Sequence, residues 1–220
     1  METTDKPGLR FVGGHTALDL VNTVEPRVPG AEPEKEHLGT PEELLRWALR
    51  AGVVEPEEAP EIRLAWQGEQ ALAAALAIRE ALYTVLLVRM DEPLKARLPY
   101  QSALEQLGTR YSAAVARAGV TLAFDAPTAA RLRIGDVVAF AVQDRLAAIA
   151  IDVLTTENVE DLRICPLEEG GCGWLFLDRS RNHTRRWCSM TDCGARVKAR
   201  RLTDRRRGRQ LPPKQATMGA

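Results

Sequence analysis

The sequence lacks the features of a membrane or secreted protein. Its 220 residues include no uninterrupted apolar run long enough to span a bilayer, since the best candidate, residues 137–154, is broken at residues 143–145. Residues 1–6 have neither the basic start nor the apolar core of a secretory signal. No internal repeat stands out. We therefore expect a cytoplasmic protein with no membrane partner.

Cysteine is absent from the first 164 residues and then occurs four times within 29 residues. The four are Cys165 and Cys172, with six residues between them, and Cys188 and Cys193, with four. In a reducing compartment clustered thiols favour a metal over disulfides, and two close pairs can enclose one tetrahedral zinc. We predict one structural Zn²⁺, because four sulfurs leave no position for a catalytic water. The alternative is a set of reduced thiols in a core.

The formal net charge is zero, but the charge is unevenly distributed. Residues 1–160 contain 16 Lys and Arg against 24 Asp and Glu, a net −8, whereas residues 161–220 contain 14 against 6, a net +8. Such asymmetry is typical of a basic binding module attached to a domain with another role. We expect a helical domain at 1–157, a metal-binding module with a basic helix at 158–209 and a disordered tail at 210–220.

The fold class that the pattern predicts is mainly α, with a short β element (α+β). Thr40, Pro41 and Glu43 form a helix start with a capping box. The predicted helices cover residues 15–24, 40–52, 60–90, about 104–115 and 136–154, with a linker at 155–158. Alternating apolar residues predict a short strand at 120–124, paired with residues 132–134.

Around the cysteines the pattern predicts two strands and one helix. The strands cover residues 174–177 and 184–187, joined by a turn at 178–182, and the helix covers 195–207. Glycines on both sides of Cys172 allow a tight turn there, and Cys193 lies where the helix begins. Because a metal supplies much of the folding energy of so small a module, we expect chelation to unfold residues 160–209 alone.

Arginine and lysine residues are concentrated between the two cysteine pairs and after the last cysteine. On an ideal helix Arg196, Arg200 and Arg207 lie within about 40° of one another. Arginine suits bidentate contacts with phosphates and guanine edges, so we predict DNA binding. The candidate contacts are Arg179, Arg181, Arg185, Arg186, Arg196, Lys198, Arg200, Arg201, Arg205 and Arg207.

Two alternatives to DNA binding remain open. The basic face could be solvated or could dock a protein, including the acidic domain of the same chain or of another copy. RNA is a second alternative, although no strand motif with interleaved aromatic residues indicates it. Trp174, Phe176 and Trp187 could stack on bases only if they are exposed, and we expect them to form the core of a small zinc fold instead.

Several motifs resemble a known pair of domains. The runs CGWLFLDRSRN at 172–182, RWCSM at 186–190 and CGARVKAR at 193–200 closely resemble the CGNR zinc-finger domain, and ALDLVNT at 17–23 resembles the opening of the ABATE domain. The resemblance implies a bacterial protein of a class of stress-induced transcription regulators that bind DNA. We expect the protein to associate with the nucleoid when it is bound. It also implies a treble-clef or ribbon-like zinc fold in which the four cysteines bind the metal. The family has asparagine where this chain has Ala195, so we expect metal binding to be retained and that asparagine's contacts to be lost.

The helical domain offers candidates for an effector pocket. His15, Asp19, Asn22 and Thr23 are polar residues near the first helix, where they could line a pocket for an unknown small molecule or serve as helix caps and surface residues. Some zinc-hairpin folds are nucleases that use a histidine like His183. No second histidine or acidic cluster accompanies it in the tail, so we expect no enzymatic activity.

Overall fold

The computed structural model describes residues 9–28, 33–122 and 130–209. Its α-helices are α1 (Thr16–Val21), α2 (Pro41–Arg50), α3 (Ala59–Ala65), α4 (Gly68–Met90), α5 (Tyr100–Ala116), α6 (Ala141–Thr156) and α7 (Ala195–Arg209). Its strands are β1 (Val24–Glu25), β2 (Lys35–Glu36), β3 (Gly119–Leu122), β4 (Ala130–Arg133), β5 (Leu162–Ile164) and β6 (Leu175–Leu177). Within the described ranges the strands form antiparallel pairs, β1 with β2, β3 with β4 and β5 with β6. The mainly α fold class is confirmed, and the predicted tail at 210–220 lies outside the described residues.

Helix α4 is the centre of the helical domain. It packs against α1, α2, α5 and α6, and Ile78, Leu82 and Leu86 along it are buried. At 23 residues it is long and apolar enough to cross a membrane by length and composition alone. However, 72% of its most apolar stretch is buried inside the protein, as expected for a core helix. The most apolar segment is therefore α4, and not residues 137–154 as the sequence indicated.

The predicted helix at 60–90 is wrong in one respect, because it is divided into α3 and α4. Trp66, between them, has an extended backbone with a ψ of 153°. The ring of Trp66 packs against the main core, and α4 begins at Gly68, where a Cβ would lie 2.8 Å from the Cβ of Pro41. The chain therefore bends where it passes the start of α2, and glycine permits the close approach.

The other helical predictions hold with small shifts. The Thr40 hydroxyl accepts a hydrogen bond from the Glu43 N–H at 3.2 Å, which confirms the N-cap of α2. The Glu43 carboxylate accepts a hydrogen bond from the Gly39 N–H at 2.9 Å. Helix α6 continues to Thr156, so the predicted linker at 155–158 is partly helical. The β3–β4 pair confirms the predicted β element within the described residues.

The predicted strand at 184–187 is also wrong. Strand β6 pairs instead with β5, which lies before the first cysteine. The buried carboxylate of Asp178 organises the intervening loop: its Oδ1 accepts from the Ser180 N–H at 3.0 Å and its Oδ2 from the Arg185 N–H at 2.8 Å. Because a side chain holds the backbone of this segment, it forms a loop and not a hairpin strand.

The metal-binding module is fused to the helical domain. Leu162, Leu175 and Leu177 belong to the same apolar core as α4. Backbone hydrogen bonds join the Leu177 N–H to the Gly13 carbonyl at 2.8 Å and the Arg27 N–H to the Cys172 carbonyl at 2.8 Å. A shared core of this kind revises the expectation that residues 160–209 unfold alone.

Candidate metal centre and basic surface

The four cysteines converge on one point. Their Sγ atoms all lie within 4.8 Å of one another, and each residue is at most 1% exposed. The Cys172 and Cys188 Sγ atoms are 3.4 Å apart, and those of Cys188 and Cys193 are 3.6 Å apart. In a tetrahedral zinc–tetrathiolate centre with Zn–S bonds of about 2.3 Å, the sulfurs are about 3.8 Å apart. The observed arrangement therefore fits one zinc ion.

The first cysteine pair lies on a tight turn whose backbone conformation glycine residues permit. The Gly171 N–H donates to the Pro166 carbonyl at 2.8 Å, and the Gly173 N–H donates to the Cys165 carbonyl at 3.1 Å. Gly173 has a φ of 75°, and a Cβ there would lie 2.1 Å from the carbonyl oxygen of Arg27. No other residue fits without displacing the segment that follows β1. The predicted tight turn is confirmed.

The second pair lies where the chain passes from a loop into a helix, with Cys188 in the loop and Cys193 in the first helical turn. Cys193 is in a single π-helical turn, Met190–Gly194, that leads directly into α7. The start of a helix favours an adjacent anion such as a zinc–tetrathiolate centre. The Arg196 guanidinium, one turn further on, lies 3.7 Å from the Cys193 Sγ. The prediction that Cys193 lies at the start of a helix is confirmed.

The surroundings of the sulfurs are apolar and aromatic. Trp174, Phe176, Trp187 and Val197 are buried in one cluster with the cysteines. Four thiolates can share this space only around a cation, and zinc supplies that charge. The aromatic residues thus form a core, as expected.

Several cations of the predicted nucleic-acid surface are exposed. Arg181, Lys198 and Arg200 are exposed. Arg179 and Arg196 are 59% and 51% exposed and pair with carboxylates, the first with Glu157 and the second with Asp192. The side chains of Arg205 and Arg207 lie outside the described part of the protein, although both positions belong to α7.

Arg186 and Arg201 meet at a single carboxylate. Both arginine side chains are 60% exposed, and both contact Glu169; the Arg201 Nη2 lies 2.9 Å from a Glu169 carboxylate oxygen. The loop before Cys188 and the helix after Cys193 therefore present two arginines side by side. Exposed ion pairs of this kind contribute only about 0–1 kcal/mol each, so a phosphate can compete for the arginines.

The guanidinium of Arg185, in contrast, is hydrogen-bonded to backbone carbonyls within the protein. Its guanidinium donates to the carbonyl oxygens of Trp187 at 3.0 Å and Val12 at 3.2 Å, and it also contacts the Cys188 carbonyl. Its planar group lies 4.5 Å from the centre of the Phe176 ring. Arg185 thus holds the cysteine loop against the residues before α1, and its donors are not directed to a ligand.

The four candidate effector residues form hydrogen bonds within the protein. The His15 Nδ1 accepts from the Ala17 N–H at 3.1 Å and caps α1, while its Nε2 lies 3.0 Å from an oxygen of Asp152. The Asp19 carboxylate accepts from the Gly13 N–H at 2.8 Å. The buried Thr23 hydroxyl donates to the Leu20 carbonyl, and Asn22 bonds the backbone of Leu175. These contacts are those of helix caps and connecting residues.

His183 has an acidic partner that sequence reasoning missed. Its Nδ1 lies 3.1 Å from an oxygen of Asp161, which is 22 positions earlier in the chain. The histidine is 54% exposed and its φ is 48°. Asp161 precedes β5 and His183 follows β6, so the two residues meet in the folded chain and no local pattern could have indicated the contact.

Fold and site define a zinc-finger protein whose finger is followed by a basic helix and preceded by a helical domain. Residues 162–206 match the family model of the CGNR zinc finger. Residues 14–157 match the ABATE family, described as "Putative stress-induced transcription regulator", and the chain belongs to this family. No curated protein matched the chain. The recognised domain pair and the single zinc site are therefore confirmed, while the treble-clef arrangement stays a prediction.

Proposed function

We propose that the protein is a transcription regulator that binds double-stranded DNA through α7 and the neighbouring cysteine loop, and that it has no enzymatic activity. The observation that carries the proposal is the placement of exposed cations on a zinc-held frame. Arg186 and Arg201 are joined through Glu169, and Arg196 lies directly beside the metal centre. The family description supports the regulatory role.

The exposed face of α7 is suited to a DNA groove. Val197 is buried and fixes which side of the helix faces the protein, so Ala195 and Ala199 point outward, and both are exposed. On an ideal helix Arg200 and Lys198 lie on opposite flanks of this small-residue ridge. Small residues permit a close approach to the groove floor while the flanking cations reach the phosphates.

The aromatic residues of the finger favour DNA over single-stranded RNA. Trp174 and Phe176 have no exposed surface, and Trp187 is only 8% exposed. Recognition of unpaired bases generally uses exposed aromatic rings, and these three rings instead surround the sulfurs. The described part of the finger thus offers cations without an aromatic platform.

Ala195 bears on how sequence-selective the binding is. It is the first residue of α7 and it is exposed, at the position where the CGNR motif has asparagine. An asparagine side chain there could reach a base edge, whereas a methyl group contacts only apolar groups. We infer that this protein binds DNA mainly through phosphates.

The proposal is tested with two double variants that change the same amount of charge. Arg196→Glu with Arg200→Glu alters one flank of α7, and Arg46→Glu with Arg97→Glu alters two exposed arginines of the helical domain. Fluorescence anisotropy with a labelled duplex at low salt should show binding abolished by the first pair and retained by the second. Zinc content is measured in parallel. Equal loss in both variants, or no loss in the first while zinc is retained, would overturn the proposal.

A further inference from the structure

A cavity of about 440 Å³ lies between α5 and α6, on the helical domain. Gln106, Thr109, Arg110 and Ala113 line it from α5. The other lining residues are Arg117, Phe140, Gln143 and Asp144. Its volume lies within the range of about 300–1,000 Å³ that is typical of small-molecule sites. The cavity does not include any of the residues that the sequence indicated as an effector pocket.

Two polar atoms in the lining are buried without a partner. The Arg110 Nε and the Gln143 Oε1 have no hydrogen-bond partner among the described residues. One is a donor on a cation and the other is an acceptor, and they come from the two facing helices. Buried polar groups in folded proteins are nearly always paired, so two unpaired groups at one cavity indicate a ligand that supplies the missing partners.

The charge of the cavity is positive. Asp144 is 1% exposed and is bound in a two-pronged contact by Arg117, whose Nε lies 2.8 Å from the Asp144 Oδ2. This pair is internally neutralised. Arg110 pairs with no carboxylate among the described residues, so its charge is left for a ligand. A carboxylate is the natural partner of a guanidinium with free donors.

One wall of the cavity is aromatic. Phe140 is 36% exposed, and the Arg117 guanidinium lies 4.5 Å from its ring centre. The cation covers and orients the ring, which leaves its remaining surface as an apolar wall beside the polar groups. A flat ligand body fits such a wall better than a flexible polar chain does.

We propose that this cavity is the effector site of the protein and that it takes a small aromatic carboxylic acid that also carries a hydroxyl or amino donor. The carboxylate binds Arg110, the donor binds the Gln143 Oε1 and the ring packs on Phe140. This inference goes beyond the proposed function, since ligand binding at the cavity does not require DNA.

The test measures binding of three probes to the full-length, zinc-loaded protein by ligand-observed NMR and calorimetry. The probes are 4-hydroxybenzoate, benzoate and benzamide. Because a charge-assisted hydrogen bond is roughly twice as strong as a neutral one, both carboxylates should bind about tenfold or more tightly than benzamide. Benzoate should bind more weakly than 4-hydroxybenzoate, since it leaves the Gln143 oxygen unpaired.

Matched variants assign the contacts. Arg110→Gln should bring 4-hydroxybenzoate down to the affinity of benzamide, whereas Arg97→Gln, at an exposed position outside the cavity, should change nothing. Gln143→Met should remove the advantage of 4-hydroxybenzoate over benzoate while leaving the carboxylate contact. Circular dichroism confirms that each variant is folded, and the two cavity variants provide independent readings.

The outcomes are distinguishable from failure of DNA binding. The proposal is overturned if neither carboxylate binds the wild-type protein at concentrations up to about 10 mM, which would place any Kd well above about 1 mM. It is equally overturned if folded Arg110→Gln binds 4-hydroxybenzoate unchanged. If the protein binds the carboxylates but does not bind DNA, the cavity is still a ligand site, and only the proposed role in transcription regulation is refuted.

Discussion

The side-chain amide of Asn22 is hydrogen-bonded to both backbone groups of Leu175. Its Nδ2 donates to the Leu175 carbonyl oxygen at 2.8 Å, and its Oδ1 accepts from the Leu175 N–H at 2.9 Å. Asn22 ends α1 in the helical domain, and Leu175 begins β6 three positions after the ligand Cys172. A single buried side chain therefore connects the metal-binding turn to the helical core.

Removal of zinc should destabilise the whole protein and not the finger alone. Chelation, or Cys172→Ser, releases β6, and β6 contributes Leu175 and Leu177 to the core around α4. We expect loss of zinc to lower the hydrogen-exchange protection of α4 as well as that of the finger, with protection restored when zinc is added back. Unchanged protection of α4 in the zinc-free protein would show that the two parts fold independently.

Asn22→Ala should be strongly destabilising. The substitution leaves a buried donor and a buried acceptor of Leu175 unpaired, and each unpaired group costs about 1–3 kcal/mol. We therefore expect a loss of about 2–4 kcal/mol in the free energy of unfolding, measured by urea denaturation. Asn182→Ala, at an exposed position, serves as the control and should change stability by less than about 0.5 kcal/mol. Equal effects would argue against the connecting role of Asn22.

Asp19 should make stability depend on pH between about 4 and 6. Burial raises the pKa of its carboxyl from 3.8 to about 6, although the Gly13 and Val12 N–H groups lower it in part. Between these two values the native state binds more protons than the unfolded state, so this contribution to stability is present at low pH and is lost as pH rises. Asp19→Asn retains an acceptor and cannot ionise.

The comparison of wild-type protein with Asp19→Asn isolates this effect. The variant should gain stability relative to wild type as pH rises from 4 to 7, by on the order of 2–3 kcal/mol at about 1.4 kcal/mol per unit of pKa. Denaturation curves at a series of pH values measure the difference. A difference that stays constant over this range would mean that the pKa of Asp19 is not raised.

Arg185 should contribute to stability and Arg181 to DNA binding, although each carries one positive charge. Arg185 donates to several backbone carbonyls in partly buried contacts, so Arg185→Ala should lower the free energy of unfolding by about 2–4 kcal/mol. Arg181 is exposed, so Arg181→Ala should leave stability within about 0.5 kcal/mol and weaken duplex binding. A large stability loss in Arg181→Ala, or none in Arg185→Ala, would contradict these assignments.

Local sequence patterns correctly predicted those features of the fold that depend on interactions between neighbouring residues. The Thr40 cap, the tight turn around Cys172 and the start of α7 after Cys193 depend on neighbouring residues, and all three are present. The convergence of the four cysteines followed from their spacing and from the geometry of zinc. Nothing comparable marks the break at Trp66, which depends on the approach of Gly68 to Pro41.

The parts that were missed depend on contacts between distant residues. Asn22 and Leu175 are 153 positions apart, and β5 lies outside the cysteine pairs that suggested a hairpin. Residues 184–187, in the loop after β6, were predicted to form a strand, but the carboxylate of Asp178 accepts hydrogen bonds from the backbone N–H groups of Ser180 and Arg185 instead. The cavity beside Arg110 forms only when α5 and α6 pack together, so no motif indicates it.

We propose that exposed cations on the zinc-held finger bind the phosphates of duplex DNA. The most direct test is the salt dependence of duplex affinity, measured by anisotropy on zinc-loaded protein. Each phosphate contact contributes about −0.9 to the slope of log K against log salt, so about four contacts predict a slope of roughly −3 to −4. Arg196→Glu with Arg200→Glu should make the slope shallower by about 2 if any binding remains measurable. A slope near zero for the wild-type protein would contradict phosphate binding by these cations.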